Sequence, residues 1–289
     1  MRNDLLERIS AQEAGFSKSQ RRLADYIVTN YDKAAFMTAY VLGKTLDVSE
    51  STVVRFATEL GYEGYPQMQR ALRELANARL TTLQRIELTG ERLKDRNILR
   101  AVMESDAEKI RKAIDDIDED TFNCAVRRII EAKHIYIIGI RSSSFLAEFL
   151  GFYLDLMLDK VTVIGGAAIE GDIFERLFRV GEGDLIIGFS FPRYSRRTLR
   201  ALRFALERNA DVISITDSRS SPISELGDCT LYAPSEMASF VDSFVAPLSL
   251  INALIISVGM EKKDELSDAF EVLEEIWKEY GTYEQYDNT

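Results

Sequence analysis

The spacing of apolar positions in the first 80 residues predicts helices and no strand. Apolar residues recur every three or four positions, as on one face of a helix, and they predict four helices, over residues 18–30, 38–46, 49–60 and 66–80. Pro66 stands where the last helix begins, and proline is favoured there because the first helical turn makes no use of the missing N–H group. We therefore expect an all-α domain over residues 1–80.

Residues 81–131 keep a helical rhythm but carry charge on most faces. This pattern is typical of a solvated connecting helix followed by the first helices of a second domain. We place a helical linker at residues 81–105 and the second domain at residues 106–289.

From residue 134 the pattern changes to short runs that are apolar through their whole length. Strands covered on both faces have this composition, and they are predicted at residues 135–138, 161–164, 185–189, 212–216 and 229–232. Amphipathic helices are predicted at residues 144–158, 169–179 and 195–208, followed by an apolar helix at about 240–259 and an acidic, aromatic tail helix at 264–280. The alternation predicts an α/β domain with a five-stranded parallel sheet, arranged as a flavodoxin-like sandwich.

Composition and charge narrow the class of protein. The 289 residues are 46% hydrophobic, which suits two globular cores and excludes a largely disordered or fibrous chain. Residues 1–80 hold 11 Lys and Arg against 10 Asp and Glu, whereas the rest of the chain holds 25 against 37. The first 80 residues (the head) are thus nearly neutral, and the rest of the chain (the body) is acidic. This difference is compatible with a DNA-facing edge on the head, and equally with ordinary surface variation.

No segment has the apolar length of a membrane span, and the first ten residues lack the apolar core of a signal peptide. We therefore expect a cytoplasmic protein. Cys124 and Cys229 do not have the spacing of a metal site, so we expect two small buried hydrophobic residues in a reducing cytosol. We expect neither a metal nor a cofactor.

Residues 38–60 have the pattern of two short helices joined by a tight turn. Asp47 stands at the turn, where aspartate tolerates a left-handed backbone, and Ser49 is placed to cap the second helix. The stripe that must face the core is Val53, Phe56, Ala57 and Leu60. The candidate DNA contacts are Ser49, Glu50, Ser51, Thr52 and Arg55. This polar face suits a helix that enters the major groove, although an ordinary three-helix bundle shows the same pattern.

Two loops rich in hydroxyl groups and arginine follow the first and third predicted strands. The candidate ligand contacts in these loops are Arg141, Ser142, Ser143, Ser190, Arg193, Tyr194 and Ser195. The carboxyl ends of parallel strands meet at the crevice in which open α/β sheets bind ligands, and helix amides there favour anions. The sequence therefore predicts an anion site at this edge. A third stretch, residues 218–221, is predicted to be an ordinary turn before Pro222.

From about residue 5 to residue 260 the chain resembles the RpiR/MurR family of bacterial transcription regulators, in which a helix-turn-helix head is joined to a SIS (sugar isomerase) domain. The head carries the resemblance in VSESTVVRF at 48–56 and LGYEGYPQMQRAL at 60–72. The body carries it in IGIRSSSFLAEFL at 138–150, GDLIIGFS at 183–190 and ITDSRSSPISELGD at 215–228. The resemblance implies a sequence-specific regulator of carbohydrate metabolism genes, controlled by a sugar phosphate that Ser143, Ser190 and Ser195 contact.

The chain departs from the family pattern in both loops. Arg141 stands where the second glycine of G-x-G-x-S is usual, and Pro192 and Arg193 replace the second serine and the glycine of S-x-S-G-x-T. Either arginine can supply the positive charge that backbone amides supply in the usual loops. The departures leave open a different ligand, or a domain that dimerises without one.

An aldose–ketose isomerase built on the same sheet is the alternative function. Such chemistry requires a base with a shifted pKa and often an imidazole. His134, however, stands at the start of the first strand, and five residues of extended chain place it about 16 Å from the Gly139 end. Glu170 and Asp172 are the best base candidates, and an acidic helix start explains them as well. We therefore expect no enzymatic activity. The head also speaks against a sugar-phosphate-binding protein that regulates another protein.

The expected partners are double-stranded operator DNA, a sugar phosphate effector and further copies of the chain. Operators read by helix-turn-helix proteins are usually palindromic, so we expect a homodimer or homotetramer. The candidate interfaces are the apolar helix at 240–259 and the aromatic tail with Trp277, Tyr280 and Tyr283.

Overall fold

The computed structural model describes residues 5–79, 81–93, 97–165, 170–235 and 241–282, and the chain forms two compact units. The first stretch of the chain, through Ala101, belongs to one unit, and the other unit begins at Val102. Each unit has its own hydrophobic core.

The N-terminal unit is helical. Its helices are α1 Leu5–Gln12, α2 Lys18–Thr29, α3 Tyr31–Ala34, α4 Ala39–Thr45, α5 Glu50–Glu59, α6 Tyr65–Arg79 and α7 Thr82–Leu93. The side chains of Leu23, Ile27, Leu42, Phe56 and Met68 are fully buried in one cluster. Helices α1 and α3 were not predicted from the sequence, because eight and four residues are too short for a clear helical period.

The remaining elements begin with two helices and continue as an alternation of strands and helices. They are α8 Ile98–Asp116, α9 Glu119–Glu131, β1 Ile135–Gly139, α10 Ser144–Asp155, β2 Val161–Ile164, α11 Glu170–Leu177, β3 Leu185–Phe189, α12 Arg196–Leu206, β4 Asp211–Thr216, β5 Cys229–Tyr232, α13 Val245–Glu261 and α14 Lys263–Glu279. The five predicted strands are thus confirmed to within one residue at each end. The predicted last apolar helix begins later than expected, at Val245.

The sheet has the strand order β2-β1-β3-β4-β5, and every neighbouring pair is parallel. This is the flavodoxin-like strand order. The chain places β2 on one side of β1 and then β3, β4 and β5 on the other side, so the order reverses between β1 and β3. Alternate strand residues face opposite layers: Ile137 and Ile187 pack with α9, α10 and α13, whereas Tyr136 and Ile186 pack with α11 and α12. The result is the three-layer sandwich that the sequence predicts.

The two cysteines contradict the sequence-based expectation of separate buried thiols. Cys124 on α9 and Cys229 on β5 are joined as a disulfide, with Cα atoms 6.5 Å apart. The pairing arises because α9 packs against the edge strand β5, a contact between segments 105 residues apart in the chain.

Within the described ranges, no single helix has both the length and the apolar composition of a membrane span. Helices α13 and α14 reach those limits only when taken together, and the chain bends by 91° between them.

Candidate functional site

The turn between α4 and α5 brings the two helices into close contact. Asp47 has a φ of 51°, so the predicted left-handed turn residue is confirmed. The Val48 amide donates to the Gly43 carbonyl at 2.9 Å. A Cβ atom on Gly43 would lie 2.8 Å from the Val48 carbonyl oxygen, so only glycine lets the turn close over α4.

The N-terminus of α5 carries a cluster of three hydroxyl groups. Ser49 is the N-cap, and its Oγ accepts a hydrogen bond from the Thr52 amide at 3.2 Å. The same Oγ lies 2.8 Å from the Ser51 Oγ and 2.8 Å from the Thr52 Oγ1. The cluster lies beside the first amides of the helix, an arrangement that suits a phosphate group.

The predicted faces of α5 agree with the structure. Val53, Phe56 and Ala57 are fully buried, whereas four of the five candidate DNA contacts are exposed and Thr52 is half-buried. The Arg55 Nε donates to the Ser51 carbonyl at 3.4 Å, which lays the guanidinium back toward the helix N-terminus. Val54 is exposed on the same helix, although the sequence analysis did not count it among the contacts.

Glu50 introduces a negative charge at the exposed start of α5. The partial positive charge of a helix N-terminus stabilises a carboxylate there. A carboxylate repels phosphate but accepts from the N4 amino group of cytosine in the major groove. This residue therefore suits a base contact better than a backbone contact.

In the body, the register of the sheet aligns the ends of three strands. Gly139 at the end of β1 pairs with Phe189 at the end of β3, which pairs with Ile215 near the end of β4. Neighbouring strands lie about 4.8 Å apart. The loops after β1 and β3 therefore begin side by side at the same edge of the sheet.

The loop after β1 is a tight 3-10 turn, Arg141–Ser143, that leads directly into α10. A Cβ atom on Gly139 would lie 2.2 Å from the Ser143 carbonyl oxygen, so this turn requires glycine at the strand end. Arg141 has a φ of 61°, a backbone conformation that glycine adopts more easily, and its side chain is exposed. Ser143 is buried, and the exposed Ser142 donates to Asp242 at 3.3 Å.

The loop after β3 is organised by Ser190, which is 1% exposed. Its Oγ accepts from the Ser195 amide at 3.1 Å, so Ser190 and Ser195 are held together and the Ser190 hydroxyl hydrogen remains for another acceptor. The Ser195 Oγ caps α12 by accepting from the Thr198 amide at 3.3 Å. Arg193 is exposed, and the Tyr194 hydroxyl donates to Asp217 at 3.0 Å.

The end of β4 supplies polar groups that the sequence analysis did not single out. The Thr216 hydroxyl donates to the Ser190 carbonyl at 2.7 Å and lies 2.7 Å from the Ser221 Oγ. Asp217 follows it and receives the Tyr194 hydroxyl. The signal in the sequence that could have identified this group is Thr216 itself, a polar residue at the end of an apolar strand. The turn predicted at residues 218–221 is present in the structure.

His134 lies at the opposite end of β1 from this crevice, as expected. Its Nε2 is 2.8 Å from the Thr162 Oγ1, and its ring stacks on Tyr136. Burial lowers the pKa of His134 below the usual value for histidine. Asp172 is paired with Arg176 one turn along α11 at 3.2 Å, and the side chain of Glu170 lies outside the described residues.

Comparison with known proteins matches both units. Residues 3–78 match the model of the helix-turn-helix domain of the rpiR family, and residues 128–257 match that of the SIS domain. An HTH-type transcriptional regulator of Haemophilus influenzae is 25% identical over 79% of each chain.

Two solved structures are similar as well. NanR of Vibrio vulnificus, complexed with ManNAc-6P, is 25% identical with a TM-score of 0.58, over 96% of this chain and 98% of that one. The sugar isomerase domain of an RpiR transcription factor from Sphaerobacter thermophilus is 25% identical with a TM-score of 0.58, over 62% of this chain and 98% of that one.

A helix-turn-helix head and a SIS body define a class of DNA-binding transcription regulators. The chain belongs to the RpiR family of such regulators. Because relatives that match over 79–94% of this chain are named HTH-type transcriptional regulators, the protein is a regulator rather than the alternative isomerase.

Proposed function

We propose that the protein binds a palindromic operator near carbohydrate metabolism genes, and that a sugar phosphate bound in the SIS body changes its affinity for that operator. In this proposal residues 1–80 bind DNA, residues 81–105 connect, and residues 106–289 sense the ligand. The protein would act in the cytoplasm, where both DNA and sugar phosphates are found.

The exposed start of α5 supports the assignment of the DNA contacts. Ser49, Ser51 and Thr52 offer hydroxyl groups beside the first amides of the helix, and these suit a phosphate. Arg55 and Glu50 lie on the exposed face, where their side chains match the edges of guanine and cytosine.

The observation that carries the ligand site is the pairing of Ser190 with Ser195 beside the turn that holds Ser143. Hydroxyl hydrogens and the first amides of α10 and α12 can all donate to phosphate oxygens there, and an exposed arginine can do so in a bidentate way. The similar NanR structure contains ManNAc-6P. The acidic body repels a dianion at long range, but salt screens that field at physiological strength.

An apolar surface formed by α10 and α13 supports a dimer. The two helices run in the same direction, since Ser142 meets Asp242 near their starts and Met157 lies beside Gly259 near their ends. Large apolar side chains remain exposed along both helices: Phe145, Phe152 and Tyr153 on α10, and Leu248, Ile256 and Met260 on α13. Aromatic residues and methionine are enriched at protein interfaces. This surface, which contains part of the predicted 240–259 interface, is the one that we assign to a second copy.

The aromatic tail is a weaker candidate for an interface. Trp277 is half-buried on α14 and Tyr280, which follows that helix, is exposed, while Tyr283 lies outside the described residues.

Calorimetric titration of a panel of sugar phosphates tests the ligand site. We expect at least one member to bind the wild-type protein and to lose about a hundredfold or more in affinity with Ser190→Ala/Ser195→Ala, because two hydroxyl contacts to a charged group are removed, each worth about 1.5–3 kcal/mol. Ser17→Ala is the matched control, since Ser17 caps α2 in the head as Ser195 caps α12. Absence of binding to the wild type, or equal binding by the double variant, would overturn the site.

A further inference from the structure

One apolar side chain interrupts the polar face of α5. Val54 is 39% exposed, and it lies between Ser51, one turn before it, and Thr58, one turn after it. It is absent from the buried cluster that takes up Val53 and Phe56. The side chain therefore contributes little to the core of the head and faces the side that carries Arg55.

The hydroxyl groups on either side of Val54 are already engaged. The Ser51 Oγ is bonded to the Ser49 Oγ at 2.8 Å, and the Thr58 hydroxyl donates to the Val54 carbonyl at 3.1 Å. Arg55 leans toward the Ser51 carbonyl. The middle of the exposed face thus presents an isopropyl group, flanked by polar groups that are partly satisfied within the helix.

The major groove offers one apolar group, the C5-methyl of thymine. Cytosine and both purines present hydrogen-bond donors and acceptors at their exposed edges and no methyl group. An exposed valine on a helix that enters the groove gains free energy by burying that methyl group and leaves a polar atom unsatisfied against another base.

We infer that Val54 is a specificity-determining residue that selects a thymine in each half of the operator by contact with its C5-methyl group. The inference rests on the proposed function, because it takes α5 as the helix that reads DNA. It assigns one base type to one side chain.

Selection from a pool of randomised DNA duplexes with the full-length protein provides the sequence needed for the test. The selected duplex is then remade with deoxyuridine at each thymine in turn, which removes a methyl group and no hydrogen-bonding atom. At one thymine in each half-site we expect deoxyuridine to weaken wild-type binding about fourfold, the equivalent of one buried methyl group, and about fifteenfold when both halves are changed.

Val54→Ala should bind the thymine and deoxyuridine duplexes with the same affinity. Val54→Thr, which keeps one γ-methyl group, should retain part of the difference and serves if Val54→Ala no longer selects a sequence. Val28→Ala is the matched control, since Val28 is 47% exposed on α2 in the same head, and it should keep the full wild-type discrimination.

The outcomes separate this inference from the proposed function. If no sequence is enriched by the wild-type protein, the proposed DNA binding fails. If a sequence is enriched but no deoxyuridine weakens binding, or if Val54→Ala and Val54→Thr discriminate as the wild type does, the role of Val54 is wrong while DNA binding stands.

Discussion

Phe152→Asp should convert the protein to a monomer and lower its operator affinity by about 10²- to 10⁴-fold, the range by which linked binding exceeds binding at one site. Phe152 is 62% exposed on α10, and Ile256, at 64%, is exposed on the neighbouring α13. A carboxylate in the centre of an apolar interface must lose its hydration without a partner. Sedimentation at several protein concentrations and gel-shift titration with a palindromic duplex measure the two effects.

Phe178→Asp is the control for that change. Phe178 is exposed to a similar extent, 64%, but it follows α11 on the opposite layer of the sandwich. This variant should remain a dimer and bind DNA as the wild type does. If the Phe152→Asp protein stays dimeric, the apolar surface of α10 and α13 is not the dimer interface. If it is a folded monomer with unchanged affinity, dimerisation through this surface does not contribute to operator binding.

Arg55→Ala should weaken binding to the selected operator by about 1–3 kcal/mol for each half-site, and so by roughly 30-fold or more for a dimer that carries the change twice. The fold should be retained, because Arg55 is exposed and lies opposite the buried Val53 and Phe56. Gel-shift titration against the selected duplex and against duplexes changed at single base pairs shows whether discrimination at one position is lost.

Two other variants distinguish a base contact from a general charge effect. Arg55→Lys keeps the charge but loses the planar fork that matches guanine, so it should restore little of the specificity. Arg21→Ala removes an exposed arginine from α2 and should leave the discrimination between duplexes unchanged. Wild-type operator affinity in a folded Arg55→Ala protein would reject α5 as the reading helix.

The sequence was most informative where burial dictates residue type. The central strands β1 and β3 are buried along their whole length because helices cover both faces, and their apolar composition made them predictable, whereas the edge strands β2 and β5 are partly exposed. In the head, the roles of Asp47 and Ser49 were predicted correctly, because a left-handed turn and a helix cap require particular residue types. Short elements such as α3 leave too few positions to show a period.

Features that depend on tertiary contacts could not be predicted in this way. The disulfide joins residues that are 105 positions apart, and no local sequence pattern predicts that α9 packs against β5. The link from Thr216 to Ser190 likewise exists only because β4 lies beside β3. Ser195 shows a further limit, since the hydroxyl group expected at a phosphate also caps α12.

Coupling between the operator site and the sugar-phosphate site can be measured directly. A sugar phosphate that binds the wild-type protein is titrated into the free protein and into its operator complex, and operator affinity is measured with and without that sugar phosphate. We predict that operator affinity changes by a factor of about 5–150, and that the affinity for the sugar phosphate changes by the same factor, since the coupling is reciprocal. Saturation of the body by the sugar phosphate with no change in operator affinity would contradict control of DNA binding by the sugar phosphate.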